Sequence, residues 1–132
     1  MKGAPRILDT ILATLDAYSD ACSRQDVEAA LTVFATDDEV FLMGSEGGET
    51  ARGPEEIRRF HERVLARPGS YAWTWDWRMV SVRGSVAWIA AAGQAWSGLG
   101  EERTSVPYRV TVVLEEKDGR WLWLQFHGSE PK

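Results

Sequence analysis

Midway along the chain the spacing of apolar residues changes, and that change limits the fold more than any other feature. Up to Arg67 they recur at three- and four-residue intervals: Ile7, Leu8, Ile11, Leu12, Leu15, Tyr18 and Cys22, then Val27, Ala30, Leu31 and Phe34, then Ile57, Phe60, Val64 and Leu65, with His61 on the same side. Such stripes predict amphipathic helices. From Tyr71 onward the period is two. Tyr71, Trp73, Trp75, Trp77 and Met79 alternate with Ala72, Thr74, Asp76, Arg78 and Val80. After the Arg83-Gly84 turn, Trp88, Ala90, Ala92, Gln94 and Trp96 share one strand face. Helices first and long antiparallel strands afterwards predict an α+β fold with helices on one face of the sheet.

Local signals divide these stretches. Pro5 suits the first turn of the first helix, Asp26 is a candidate N-cap for the second, and Gly53-Pro54 starts the third. Val40–Met43 reads as a short strand running into the glycine-rich turn Gly44-Ser45-Glu46-Gly47-Gly48. Strands over Arg103–Glu116 and Arg120–Ser129 flank Lys117-Asp118-Gly119, a hairpin signal. Neither repeats nor a linker interrupt the 132 residues, so residues 1–132 read as one domain.

Charge and composition exclude several functions. Fifteen Lys and Arg against twenty Asp and Glu give a net charge of −5, which repels nucleic-acid backbones and anionic lipid. The lone Cys22 cannot close an internal disulfide or build a thiolate metal site, and no cofactor motif is present. Gly44–Gly48 lacks the lysine of a phosphate loop. Met1–Thr10 has no apolar stretch of secretory type, and Val86–Ala92 is far short of the ~20 residues of a membrane span. The expectation is a cytoplasmic protein with no metal, nucleic-acid or membrane partner.

The register of the last hairpin decides which side chains can meet. A two-residue loop, Asp118-Gly119, pairs Val110 with His127 and sends Arg109 to the other face; a three-residue loop pairs Arg109 with His127. The second register segregates apolar residues better and is the expectation. Val110, Val112, Leu114, Leu122, Leu124 and Phe126 then share an aliphatic face, and Arg109, Thr111, Val113, Trp123, Gln125 and His127 share the other.

Three ordered stretches carry a resemblance. They are Tyr18-x-x-Ala21 with Asp26 and Phe34-Ala35-x-Asp37-Asp38; Met43-Gly44-Ser45-Glu46 through Gly53-Pro54-Glu55-Glu56-Ile57; and Arg109-x-Thr111, Asp118-Gly119-Arg120-Trp121 and His127-x-Ser129-x-Pro131. Together they resemble the SnoaL-like branch of the NTF2-like superfamily, which includes ketosteroid isomerases and the calcium/calmodulin-dependent kinase association domain. The resemblance implies an α+β cone, a curved and mainly antiparallel sheet wrapped over helices around an apolar pocket, and a homodimer made by packing sheets together. Two apolar sheet faces and helix enough for one agree with that, and the aliphatic hairpin face is the expected dimer contact. The isomerases' carboxylate base position falls on Leu42 and their second oxyanion donor on or near Thr111, so that proton transfer is poorly supported.

The candidate ligand-binding residues are Tyr18, Trp88, Arg109, Thr111, Gln125 and His127; no catalytic residue is assigned. Arg109 beside His127 suits an anionic small ligand if both face the pocket; otherwise both are structural. Trp88 and Trp96 flank small Ala90 and Ala92, a face that either holds a cavity or fills a core. Tyr18 is either a pocket hydroxyl or ordinary core, and His61 reads as a boundary residue. Glu46 and Glu49 are solvent-facing turn carboxylates near the expected pocket mouth, and Cys22 is buried and inert. The functional readings are a small-molecule binding module, an enzyme of isomerase, cyclase or hydrolase type using His127 with Tyr18, and an assembly domain. The missing base favours the first.

Overall fold

The change of period falls where the chain passes from helix to sheet. A computed structural model describes residues 4–131, so Met1–Gly3 and Lys132, the ends of the expected single domain, lie outside it. Helix α1 spans Ala4–Ser23, α2 Val27–Leu31, and α3 Gly53–Leu65. The strands are β1 (Phe41–Met43), β2 (Thr50–Arg52), β3 (Ser70–Arg83), β4 (Val86–Gly98), β5 (Thr104–Lys117) and β6 (Arg120–Ser129). They form one sheet in the order β2-β1-β6-β5-β4-β3, antiparallel throughout except where β1 runs parallel to β6. The sheet is curved and open, the α+β arrangement read from the sequence.

The caps form as the sequence indicates. Asp26 Oδ1 accepts from Ala29 N at 3.0 Å and starts α2, and Pro54 sits in the first turn of α3. Gln25, with φ of 56°, ends α1 in a left-handed turn, and its side chain reaches across to the carbonyls of Leu65 and Arg67. The end of α1 is thereby fastened to the end of α3. Ile11, Leu15, Tyr18, Ala21 and Cys22 form the buried face of α1, whereas Ile7, expected on that face, is 41% exposed. Phe34 is buried beyond the end of α2. The short β2 had no sequence signal; it forms because it pairs with β1.

The hairpin corrects the expected register. Lys117 pairs with Arg120, and Asp118 and Gly119 have φ of 52° and 82°. That is a two-residue turn with both central residues left-handed. A bulge then changes the phase: Leu114 faces Trp123, Val113 faces Gln125, and Leu124 has no partner. Arg109 and His127 do share a face, but His127 pairs with Thr111 and Arg109 with Ser129.

The faces are corrected as well. Val110, Val112, Leu114, Trp121, Trp123 and Phe126 point inward and are buried, with Tyr108 continuing the row. This side packs against the chain's own helices, so the aliphatic hairpin face expected at a dimer contact is the core. Trp123 moves inward, while Leu122 and Leu124 move to the half-buried outer side. A second bulge at Asp76 splits the tryptophan row of β3. Trp73 and Trp75 pack inward, whereas Trp77 and Met79 face out at 53% and 52% exposure. Pro107 is tolerated in β5 because β6 ends at Ser129, opposite Arg109, and leaves that side of the strand without a ladder.

Candidate functional site

A cavity of about 280 Å³ opens between the inner face of the sheet, α1, α3 and the Gly44–Glu49 turn. Its wall is largely aromatic, with Tyr18 from α1, Phe60 and His61 from α3, Trp73 from β3, Tyr108 from β5 and Phe126 from β6. Each arrives by the local rule of its element: Tyr18 and His61 by helical spacing, Trp73 and Tyr108 by strand alternation. Gly128 opposite leaves room for the Tyr108 ring in its present position, because a Cβ there would overlap the Tyr108 hydroxyl.

Tyr18 and His61 form the polar centre of the wall. Tyr18 Oη and His61 Nε2 lie 2.7 Å apart, and His61 Nδ1 is 2.8 Å from the Ile57 carbonyl oxygen. The carbonyl can only accept, so Nδ1 carries the proton and Tyr18 donates to Nε2. Burial holds the imidazole below its ordinary value of 6.5, although the Ile57 carbonyl partly opposes this. Burial also raises the Tyr18 hydroxyl, aided by Cys22 and Tyr108, and pushes the Cys22 thiol up to about 12. Tyr108 is raised by burial and then by the charges of Glu49 and Glu130. At neutral pH the wall is uncharged.

This state implies a pH dependence with a definite sign. Below 6.5 an unfolded chain protonates His61 more readily than the folded chain does, so folding stability falls as pH drops through that region. Thermal melts from mildly alkaline to mildly acidic pH should show the decline, and His61→Gln should remove its share of it. Identical pH slopes for the two proteins would contradict the buried neutral histidine.

The mouth is different in character. Glu46, Glu49 and Glu130 border it, with Arg67 and Ser45 among them. Ser45 Oγ donates to Glu130 Oε2 at 2.6 Å, and Glu49 Oε1 accepts from Glu46 N at 3.1 Å. Two indole N–H groups, Trp73 Nε1 and Trp75 Nε1, are buried without a partner among the described residues. No cluster of three or more His, Cys, Asp or Glu suited to a metal occurs among the described residues.

Of the six residues expected to bind ligand, only Tyr18 lines the cavity. Trp88, Arg109, Thr111, Gln125 and His127 stand together on the outer face, across the sheet from it. Two bonded pairs, Trp88 with Val113 and Thr111 with His127, place them there. The reason is the burial of the Val110–Leu114 row against the helices, which turns the opposite parity outward. Arg109 therefore cannot anchor an anion in this cavity, and Thr111 cannot act there as an oxyanion donor. Leu42, where the resemblance puts the isomerase base, is buried, and a leucine offers no ionisable group there. His61, expected at the boundary of the core, is 1% exposed and lines the cavity, as its place in the Ile57–Leu65 stripe allows; Tyr108, with the parity of Val110, lines it too. Cys22 is buried as expected and also lines the wall, while Glu46 is exposed and Glu49 half-buried at the rim.

The SnoaL-like domain family matches residues 11–132. No curated protein matches the sequence. Among solved structures, a proposed dehydratase of the NTF2-like family from Streptomyces avermitilis superposes with a TM-score of 0.87 at 18% identity, covering 98% of this chain and 99% of its own. A proposed aromatic ring hydroxylase from Novosphingobium aromaticivorans gives 0.80 at 20%, covering 93% and 87%. A proposed calcium/calmodulin-dependent protein kinase II association domain from Xanthomonas campestris gives 0.76 at 20%, covering 92% and 85%. At these identities the likeness establishes the fold and nothing finer.

Proposed function

The chain belongs to the SnoaL-like domain family and has the NTF2-like fold, and from that premise we propose that it binds one small, largely apolar organic molecule in the cavity beside Tyr18 and His61. The carrying observation is the cavity itself: about 280 Å³, walled by aromatic rings, with a few convergent polar groups. That volume is at the small end of ligand pockets and suits a mono- or bicyclic molecule. The carboxylates at the rim oppose an anion, so a neutral or cationic occupant replaces the anionic one suggested by Arg109. Calorimetric titration with 2-methoxynaphthalene should give saturable binding at one molecule per chain. Val64→Trp, which puts an indole into the lining, should weaken it at least tenfold. An absence of saturable heat, or an unaffected Val64→Trp, would count against the cavity as the site.

A homodimer belongs to the same proposal, with its contact moved to the outer sheet face. Trp77, Met79, Trp88 and Met43 are 53%, 52%, 38% and 37% exposed there, more large apolar surface than a monomer usually leaves open. Sedimentation velocity should give a dimer for the wild type and a monomer for Trp77→Glu combined with Met79→Glu. A wild-type monomer at every concentration, or a dimer indifferent to both substitutions, would remove this face from consideration. A larger ring would favour an assembly domain of the kind suggested by the Xanthomonas relative.

A further inference from the structure

The hydrogen bonds around His61 set the direction of the protons at the polar centre of the cavity. The Ile57 carbonyl takes the Nδ1 proton at 2.8 Å, which leaves a lone pair at Nε2. Tyr18 directs its only proton to that lone pair at 2.7 Å. The phenol oxygen then has only acceptor capacity left. Cys22, one turn along α1, lines the same wall beside Tyr18 and keeps its proton. A thiol is a weak donor and yields readily to an O–H.

We infer that the cavity selects a molecule that donates a hydrogen bond, a phenol or alcohol whose O–H meets Tyr18 Oη, over an ether or ketone of the same shape. The inference rests on the cavity being a ligand site. With such a molecule in place, ligand O–H, Tyr18, His61 and the Ile57 carbonyl form a chain in which every member donates to the next. A ketone or ether would face Tyr18 lone pair to lone pair. Meeting it at Tyr18 Oη would require His61 to gain a proton or turn its ring. Burial opposes the first, and the Ile57 hydrogen bond opposes the second. The other groups acting on Tyr18 leave this unchanged: Cys22 and Tyr108 stay protonated, and Glu49 at the rim is an acceptor.

The test compares 2-naphthol with 2-methoxynaphthalene, which keeps the ring and the oxygen but has no proton to donate. Both are titrated calorimetrically into the full chain. Wild type should bind 2-naphthol about 3- to 10-fold more tightly, the net worth of one buried hydrogen bond. Tyr18→Phe should bring the two to parity. His61→Phe frees the Tyr18 proton to turn into the cavity, so the preference should vanish or reverse, and this variant carries the test if Tyr18→Phe does not fold. Equal affinities in wild type, or a preference that survives in either folded variant, would overturn the inference and leave the cavity a ligand site. If neither compound binds saturably, the ligand-site reading fails and the inference falls with it.

Discussion

Trp123→Ala is expected to lose about 3–5 kcal/mol of folding stability, the range for deleting a large buried aromatic. Trp123 is 0% exposed and joins three parts of the core. Its ring stacks on Phe126 at 5.5 Å between centroids, meets Phe34 edge-on at 5.2 Å, and lies 4.9 Å from Tyr18. Its indole N–H donates to Thr14 Oγ1 at 2.8 Å, linking β6 to α1. The backbone at the same residue bonds to Val33 and Ala35, so the ring sits where the strand is already fixed on two sides and cannot slide to fill the space. With native stabilities of about 5–15 kcal/mol, the loss could take most of the margin. Trp123→Phe should cost less, about 1–2 kcal/mol, because ring contacts remain while one hydrogen bond and some volume go. Urea denaturation of the three proteins gives the comparison. A loss below about 1 kcal/mol for Trp123→Ala, at an unchanged m-value, would mean that the core closes around the gap.

The residues around Trp123 also show which parts of the molecule were legible in the sequence. Periodicity sufficed for the helices, the long strands and the α+β order, because burial on one face imposes it directly. It failed where one extra residue changes the phase. At Leu124 the bulge returns Arg109 and His127 to a shared face but exchanges Trp123 for Leu122 and Leu124. At Asp76 another bulge divides a tryptophan row that reads as continuous. Neither position carries a glycine or proline to mark it. Alternation also assigns faces only relative to one another. Which face meets the helices depends on packing from the other half of the chain, and for that reason five of the six residues expected to bind ligand lie across the sheet from the cavity. The sequence put His61 in the apolar stripe of α3, but its hydrogen bond to Tyr18 spans 43 positions, beyond any local pattern.

Gly93→Ala should be the most damaging change of a single methyl group. Gly93 sits on the inner side of β4, paired with Trp75 on β3 and Tyr108 on β5, directly opposite the Asp76 bulge. A Cβ built there would overlap the Thr74 carbonyl oxygen and come within 2.7 Å of Trp75 Cα. Both obstacles are backbone, so no side-chain rotation relieves the overlap, and β3 would have to move away from β4. The expected loss is about 3 kcal/mol or more, the upper end of the cost of overpacking. The damage should also be directional. Trp73 and Trp75 flank the collision, and Trp73 lines the cavity and is held to α1 by the bond from its backbone N–H to Ser19 Oγ at 2.8 Å. Binding of 2-methoxynaphthalene should therefore weaken under conditions where the variant is still folded, a loss that Trp123→Phe, with its ring contacts kept, should not share to the same degree. Gly47→Ala is the matching control: its Cβ would meet nothing within 4 Å, and its stability should change by no more than about 0.5 kcal/mol. Equal stabilities for the two alanine variants would show that β3 yields easily at Asp76, making the bulge a soft joint rather than a fixed support for the cavity wall.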